Sequence, residues 1–236
     1  MKPLVAITGA SSGIGEATAR LFSEAGYPLL LMARRIEKLN ALGLPDVVCK
    51  KVDVTHADEI RTAVEEAQAK YGPVDCLVNN AGLLYLGEPW NQDLKEWEEM
   101  VNINVMGVLN GIHAVLADMM GRKHGTIINI SSLAGRKTFG RHAVYCGTKF
   151  AVHAMSETIR GEVSQSNVRV ITVAPGATNT ECVTHTTSEL FQKDWWNGIG
   201  GILQPADVAR AIKFAYEQPQ EVCIREIVVT PTKQSD

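Results

Sequence analysis

The sequence predicts a doubly wound α/β fold: a mostly parallel seven-stranded sheet with helices on both faces. Three observations carry that prediction. Apolar runs of strand length alternate with helical patterns along the whole chain. Several of these runs are apolar on both sides, as strands buried on both faces of a parallel sheet must be. The first run leads straight into a glycine-rich turn and a helical pattern, the opening of a β-α-β unit.

In chain order, Val5–Thr8 reads as the first strand, and Ile14–Ala25 follows as a helix with apolar residues at three and four spacing. Pro28–Met32 and Val47–Val52 are the second and third strands, and Ala57–Tyr71 is the next helix. Cys76–Asn79 is the fourth strand. Leu94–Gly121 then carries a long stripe: Leu94, Trp97, Val101, Val105, Val108, Ile112, Val115 and Met119. Burial against the sheet accounts for most of it, and a subunit interface for the remaining apolar positions. Thr126–Ile130, the helix His142–Ser164, Val168–Val173, the helix Pro205–Glu217 and Glu226–Val229 complete the alternation. Thr184–Gly201 is the least patterned stretch and is expected to form a flap over the site. Its Phe191, Trp195 and Trp196 either line an apolar pocket or anchor the loop on the body of the protein.

A length of 236 residues fits one domain spanning 1–236, because no linker, repeat or charge block divides it. The 45% hydrophobic and 21% charged shares are ordinary for a soluble globular protein. A net charge of −3, with basic residues no closer than pairs, argues against nucleic-acid binding. The five cysteines share no metal-ligand spacing and read as reduced thiols. With no signal-like start and no unbroken apolar run of membrane length, the expected location is the cytoplasm, away from a membrane.

The stretch Tyr145-Cys146-Gly147-Thr148-Lys149 places a phenol and an ammonium on one face of a helix. A free phenol has a pKa of about 10, so it exchanges protons at neutral pH only if something stabilises the phenolate. Lys149, or a cofactor charge as well, is expected to lower it by supplying about 3–4 kcal/mol. Alone, this spacing also describes a packed ring beside a solvated charge.

Its company favours chemistry. Thr8-Gly9-Ala10-Ser11-Ser12-Gly13-Ile14-Gly15 joins a strand to a helix. Glycines there let the backbone approach a pyrophosphate, and the helix start offers free N–H groups. The spacing departs from G-x-G-x-x-G, and a purely structural turn would use the same glycines. At the end of the second strand stands Ala33-Arg34-Arg35, where an acidic residue would bind the ribose hydroxyl of NAD. Arg34 instead suits the 2′-phosphate of NADP, with Arg35 as a possible partner in the contact. The alternative for Arg34 is a solvated side chain opening a loop.

Together, Thr8-Gly9-x3-Gly13-x-Gly15, Asn79-Asn80-Ala81-Gly82, Ser132, Tyr145-x3-Lys149 and Pro175-Gly176 resemble the short-chain dehydrogenase/reductase family in its compact single-domain form. The resemblance covers nearly the whole chain and implies a Rossmann-type fold. It also implies hydride transfer between NADP(H) and a carbonyl or alcohol, with Tyr145 as acid/base and no metal. It gives Ser132, thirteen residues before Tyr145, the role of polarising the substrate oxygen; the adjacent Ser131 reads as a strand-end hydroxyl. It gives Asn104 the task of ordering a water that links Lys149 to solvent, whereas the alternative is a core hydrogen bond that kinks the helix. Gly9, Ser11, Ser12, Gly13, Ile14 and Gly15 would cradle the pyrophosphate. Asp53 and Val54 would meet the adenine, although a loop-capping aspartate is an equal reading of Asp53. Asn80, Ala81 and Gly82 would pass the cofactor ribose, a place a tight turn would also fill with Asn and Gly. Pro175, Gly176, Thr178 and Thr180 would face the nicotinamide.

The chain looks similar to NADP-dependent 3-hydroxy acid or serine dehydrogenases, and to general carbonyl reductases. One of Arg136, Lys137, Arg141, His142 and His185 is a candidate for holding a substrate carboxylate. The resemblance implies a dimer or homotetramer. Two other readings stand beside it: a ketoacyl-thioester reductase with the same catalytic residues, and a non-catalytic NADP sensor, which would not need both Tyr145 and Lys149.

Overall fold

The structure is a computed structural model and describes residues 2–198 and 200–234. Its strands are β1 (Leu4–Thr8), β2 (Leu29–Ala33), β3 (Val47–Lys51), β4 (Val74–Asn79), β5 (Gly125–Ile130), β6 (Val168–Pro175) and β7 (Glu226–Val229). They form one seven-stranded sheet in the order β3-β2-β1-β4-β5-β6-β7. Every pairing is parallel, so the sheet is a Rossmann-type α/β sheet.

The helices are α1 (Gly13–Glu24), α2 (Ile36–Ala41), α3 (Ala57–Tyr71), α4 (Leu94–Val101), α5 (Gly107–Arg122), α6 (Ala143–Val163), α7 (Glu189–Gly198) and α8 (Pro205–Tyr216). Alternation along the strands divides the core between the two faces. Leu4, Ala6, Leu30, Met32 and Leu77 pack on Ile60 and Val64 of α3, on Val108, Ile112 and Val115 of α5, and on Val152 of α6. Val5, Ile7, Leu29, Leu31 and Val78 pack on Phe22 of α1 and on Val208, Ile212 and Tyr216 of α8. The start of α8 is fixed by a capping box: Gln204 N–H donates to Asp207 Oδ2 at 2.7 Å, with Pro205 at the first helical position.

One expectation from the sequence is corrected. Leu94–Gly121 is not one regular helix: a π-helical turn, Asn102–Met106, separates α4 from α5. By length and composition the run Leu94–Arg122 would reach across a bilayer, yet Met100, Val108, Ile112, Val115 and Met119 are buried within the fold. The least patterned stretch, Thr184–Gly201, holds regular structure. A 3₁₀ helix, Glu181–His185, leads into it, and α7 follows. Their short lengths hide the helical period, as for α2, where only Leu39 is buried. From the central pair β1 and β4 the sheet grows in opposite directions, opening a crevice at the carboxyl ends of the strands.

Candidate active site

The crevice is built around the end of β1. Gly9 has φ +64°, and a Cβ there would stand 2.8 Å from the Ala81 Cα. A Cβ on Gly15 would stand 2.3 Å from the Gly9 carbonyl oxygen. Neither position tolerates a side chain without moving backbone. Thr8 Oγ1 accepts from the N–H groups of Asn80 and Ala81, both at 3.0 Å. Asn80 Nδ2 returns bonds to the carbonyls of Thr8 (3.0 Å) and Gly9 (3.2 Å). The glycine turn and the Asn80-Ala81-Gly82 turn are thus stapled into one rigid wall.

One cavity of about 620 Å³ runs along this wall. Gly9, Ser11, Ser12, Gly13 and Ile14 line it, and Arg34, Arg35, Asp53 and Val54 lie at the end nearest β2 and β3. Asn80, Ala81 and Gly82 form its floor, and Ser132, Tyr145, Lys149, Pro175, Gly176, Thr178 and Thr180 its other end. Two predicted residues stand behind the lining. Gly15 packs under the turn against Gly9. Asn104, wholly buried, lies beyond Gly82.

The amide of Asn104 is taken up by protein. Its Oδ1 accepts from Leu83 N–H (2.9 Å), and its Nδ2 donates to the Leu83 carbonyl (2.9 Å) and to Thr148 Oγ1 (3.1 Å). These are the core hydrogen bonds of the second reading, and they tie the π turn to the cavity floor and to α6. Asp53 likewise caps its own loop, accepting from Thr55 N–H and Oγ1 at 3.0 and 2.8 Å, while still lining the cavity. Burial alone would raise its carboxyl; the Thr55 donors and the charge of Arg34 outweigh that and hold it low. Arg34 is exposed at the cavity wall and makes no side-chain hydrogen bond or ion pair among the described residues.

The two serines separate cleanly. Ser131 Oγ donates to the Lys149 carbonyl (3.2 Å), pinning α6 to the end of β5. Ser132 Oγ caps the short 3₁₀ turn Leu133–Gly135 by accepting from Ala134 N–H, and it interacts with the Tyr145 phenol. Lys149 Nζ, 5.7 Å from the centre of the Tyr145 ring, donates to the Ile130 carbonyl at 3.0 Å.

This geometry corrects the expected electrostatics. Burial drives the Tyr145 phenol well above its ordinary pKa, with only Ser132 pulling it down. Burial also brings the Lys149 ammonium down to about 8. In the protein alone, therefore, Lys149 does not acidify Tyr145. Both groups are desolvated, and the lysine's bond goes to a main-chain carbonyl.

Beyond Tyr145 the cavity is closed by residues that no motif announced: Leu84, Leu133, Phe139, Cys182, Val183 and Gln234. Tyr145, Cys182, Phe191 and Trp195 pack around the cluster Leu84, Leu86 and Val183. The flap is fastened to the floor, since Leu86 N–H donates to Thr186 Oγ1 (2.9 Å) and Thr187 Oγ1 to Glu96 Oε1 (2.9 Å). Of its aromatics, Trp195 lines the cavity and Phe191 lies under the Arg141 guanidinium at 4.1 Å; the side chain of Trp196 lies outside the described residues. Among the candidates for a carboxylate anchor, His142 and His185 line the cavity. Arg136 is turned away, paired with Glu226.

A parallel sheet with its crevice at the switch point, a glycine-rich wall and a Ser-Tyr-Lys cluster defines a dinucleotide-dependent oxidoreductase class. Residues 3–190 match the short chain dehydrogenase family. The chain belongs to that family. It is 41% identical over 238 residues to an uncharacterized oxidoreductase of Staphylococcus saprophyticus, covering 98% of this chain and 97% of the relative. The structure resembles the closed form of serine dehydrogenase complexed with NADP+ (TM-score 0.91, 31% identity, 99% of this chain and 96% of that one). It also resembles an alcohol dehydrogenase from the archaeon Thermococcus sibiricus complexed with 5-hydroxy-NADP (TM-score 0.87, 27% identity, 99% and 98%).

Proposed function

We propose that this oxidoreductase uses NADP(H) to interconvert a carbonyl and an alcohol, with Tyr145 as acid/base. One observation carries the reading: the glycine wall, the arginines after β2 and the Ser132, Tyr145 and Lys149 cluster line a single continuous cavity. The wall fits a dinucleotide. Side chains are excluded at Gly9 and Gly15, so backbone can approach the pyrophosphate, and Arg34 is left without a protein partner among the described residues at the ribose end. Asp53 and Val54 would bound the adenine, Asn80, Ala81 and Gly82 the second ribose, and Pro175, Gly176, Thr178 and Thr180 the nicotinamide.

Held along this wall, NADP(H) would supply or accept the hydride at its nicotinamide. Tyr145 gives the substrate oxygen a proton during reduction, or takes one during oxidation. Ser132 donates a second hydrogen bond to that oxygen and stabilises the negative charge that develops on it. Lys149 holds a cation beside the phenol, its ammonium anchored on the Ile130 carbonyl. Asn104 keeps the floor at Leu83 and the helix at Thr148 in register, so the tyrosine stays aimed into the cavity.

The substrate we infer is a 3-hydroxy acid or a small carbonyl compound. The apolar closure by Leu84, Leu133, Phe139 and Trp195 suits a compact organic group, and the similarity to serine dehydrogenase supports the hydroxy-acid side of that range. In the same reading the chain assembles as a dimer or tetramer through parts of Leu94–Arg122 and α6. The direct test is oxidation of NADPH and NADH over a panel of aldehydes, ketones and 3-oxo acids. NADPH should be preferred by roughly one to three decades, because hydrogen bonds to a charged phosphate are each worth about 1.5–3 kcal/mol and about 1.4 kcal/mol is tenfold. Equal use of both cofactors would remove the NADP assignment.

A further inference from the structure

Arg35 already holds an anion. Its Nη1 pairs with Glu181 Oε2 at 2.8 Å, while Nη2 donates to Ser12 Oγ (2.9 Å) and Ser11 Oγ (3.2 Å). Lys38, on α2, reaches the other oxygen of the same carboxylate at 3.3 Å. Glu181 comes from a distant part of the chain, the first residue of the 3₁₀ helix that opens the flap. Hydrogen bonding from Arg35 is the main influence holding its carboxyl below the usual range, so it is an anion at neutral pH.

This arrangement lies where the ribose end of the cavity meets the phosphate turn, and Arg35, Ser11, Ser12 and Glu181 all line the cavity. A phosphate monoester on the ribose carries a charge of about −1.5 to −2 and seeks the same cations. Two anions cannot share one guanidinium and one ammonium without mutual repulsion.

We propose that Glu181 is a specificity-determining residue that competes with the 2′-phosphate of NADP for Arg35 and Lys38. The competition rests on the NADP reading above. Binding of NADPH displaces the Glu181 carboxylate from the two cations, whereas NADH, with a ribose hydroxyl in place of phosphate, leaves the pairing intact. Glu181 therefore lowers the preference for NADPH below what Arg34, Arg35 and Lys38 would otherwise give. It also links the arrival of phosphate to the flap, since the same 3₁₀ helix carries Val183 into the apolar cluster beside Tyr145.

The test is calorimetric titration of the full chain and of Glu181→Gln with 2′,5′-ADP, 5′-AMP, NADPH and NADH. The parent protein should bind 2′,5′-ADP more tightly than 5′-AMP. In Glu181→Gln, 2′,5′-ADP and NADPH should tighten by roughly three- to fivefold, the upper range for a partly exposed charged pair, while 5′-AMP and NADH stay within about twofold. Glu181→Ala, which also removes the flap tether, should shift the ligands in the same order. If the parent protein does not distinguish 2′,5′-ADP from 5′-AMP, the NADP reading fails and this inference falls with it. If it does distinguish them and Glu181→Gln tightens all four ligands alike, or none, the NADP reading stands and the competition is overturned.

Discussion

Lys149 is a buried cation held by a main-chain carbonyl, and that placement has consequences for both stability and turnover. Its ammonium titrates near 8 in the folded protein and at about 10.4 in an unfolded chain. Between those values the unfolded state binds more protons, so stability rises with pH from about 8 toward 10. Above about 10 the raised phenol of Tyr145 acts in the opposite sense, because the unfolded tyrosine ionises first. Urea unfolding of Lys149→Met should lose the rise that the parent shows across this window, and its turnover should fall. Parallel pH profiles would mean that Lys149 is solvated. Arg34 presents a second test at this scale. Arg34→Ala should weaken NADPH but leave a residual preference through Arg35, and Arg34→Asp should reverse the cofactor order by repelling phosphate and accepting from ribose hydroxyls. Steady-state kinetics with both cofactors decide it, and an aspartate variant that still prefers NADPH would show that Arg34 only faces solvent.

At the scale of elements, the π turn Asn102–Met106 matters most, because it turns a polar side chain into the core between the cavity floor and α6. Such turns recur at functional sites, where the extra residue re-aims a side chain. Asn104→Ala would leave the Leu83 N–H and carbonyl without their partner in a buried setting. That should cost about 1–3 kcal/mol in urea unfolding, the range for an unsatisfied buried group. A loss below about 0.5 kcal/mol would mean that water or a shifted loop replaces the amide. The sequence marked Asn104 as out of place in a helix, but not the π turn, since an apolar stripe at three and four spacing reads the same through one inserted residue. The helices of the flap were unreadable for a related reason. Its 3₁₀ helix and α7 are too short to declare a period, and Thr186, Thr187 and Glu96 fasten it through contacts remote in sequence.

For the whole molecule, the order β3-β2-β1-β4-β5-β6-β7 brings the ends of β1, β4, β5 and β6 to one crevice, and that convergence explains why motifs scattered from Gly9 to Thr180 meet. The strands were legible because two-sided apolar runs suit a fully covered parallel sheet. The glycine turn was legible because close backbone approach restricts residue types, and Ser132, Tyr145 and Lys149 because their spacing resembles the family's. Leu84, Phe139 and Gln234 were not, since filling a cavity wall restricts only size and polarity. Assembly belongs to this scale as well: Val101, Met106 and Phe150 remain exposed on the helices proposed for the interface. Light scattering at micromolar concentration should give a dimer or tetramer mass, and a monomer would reject that proposal. The central claim, that this cavity performs proton-coupled hydride transfer with Tyr145 as acid/base, is tested most directly by Tyr145→Phe, which keeps the ring and removes the hydroxyl. NADPH binding followed by fluorescence should match the parent protein while turnover falls by at least about a hundredfold; turnover within a few-fold of the parent would contradict the claim.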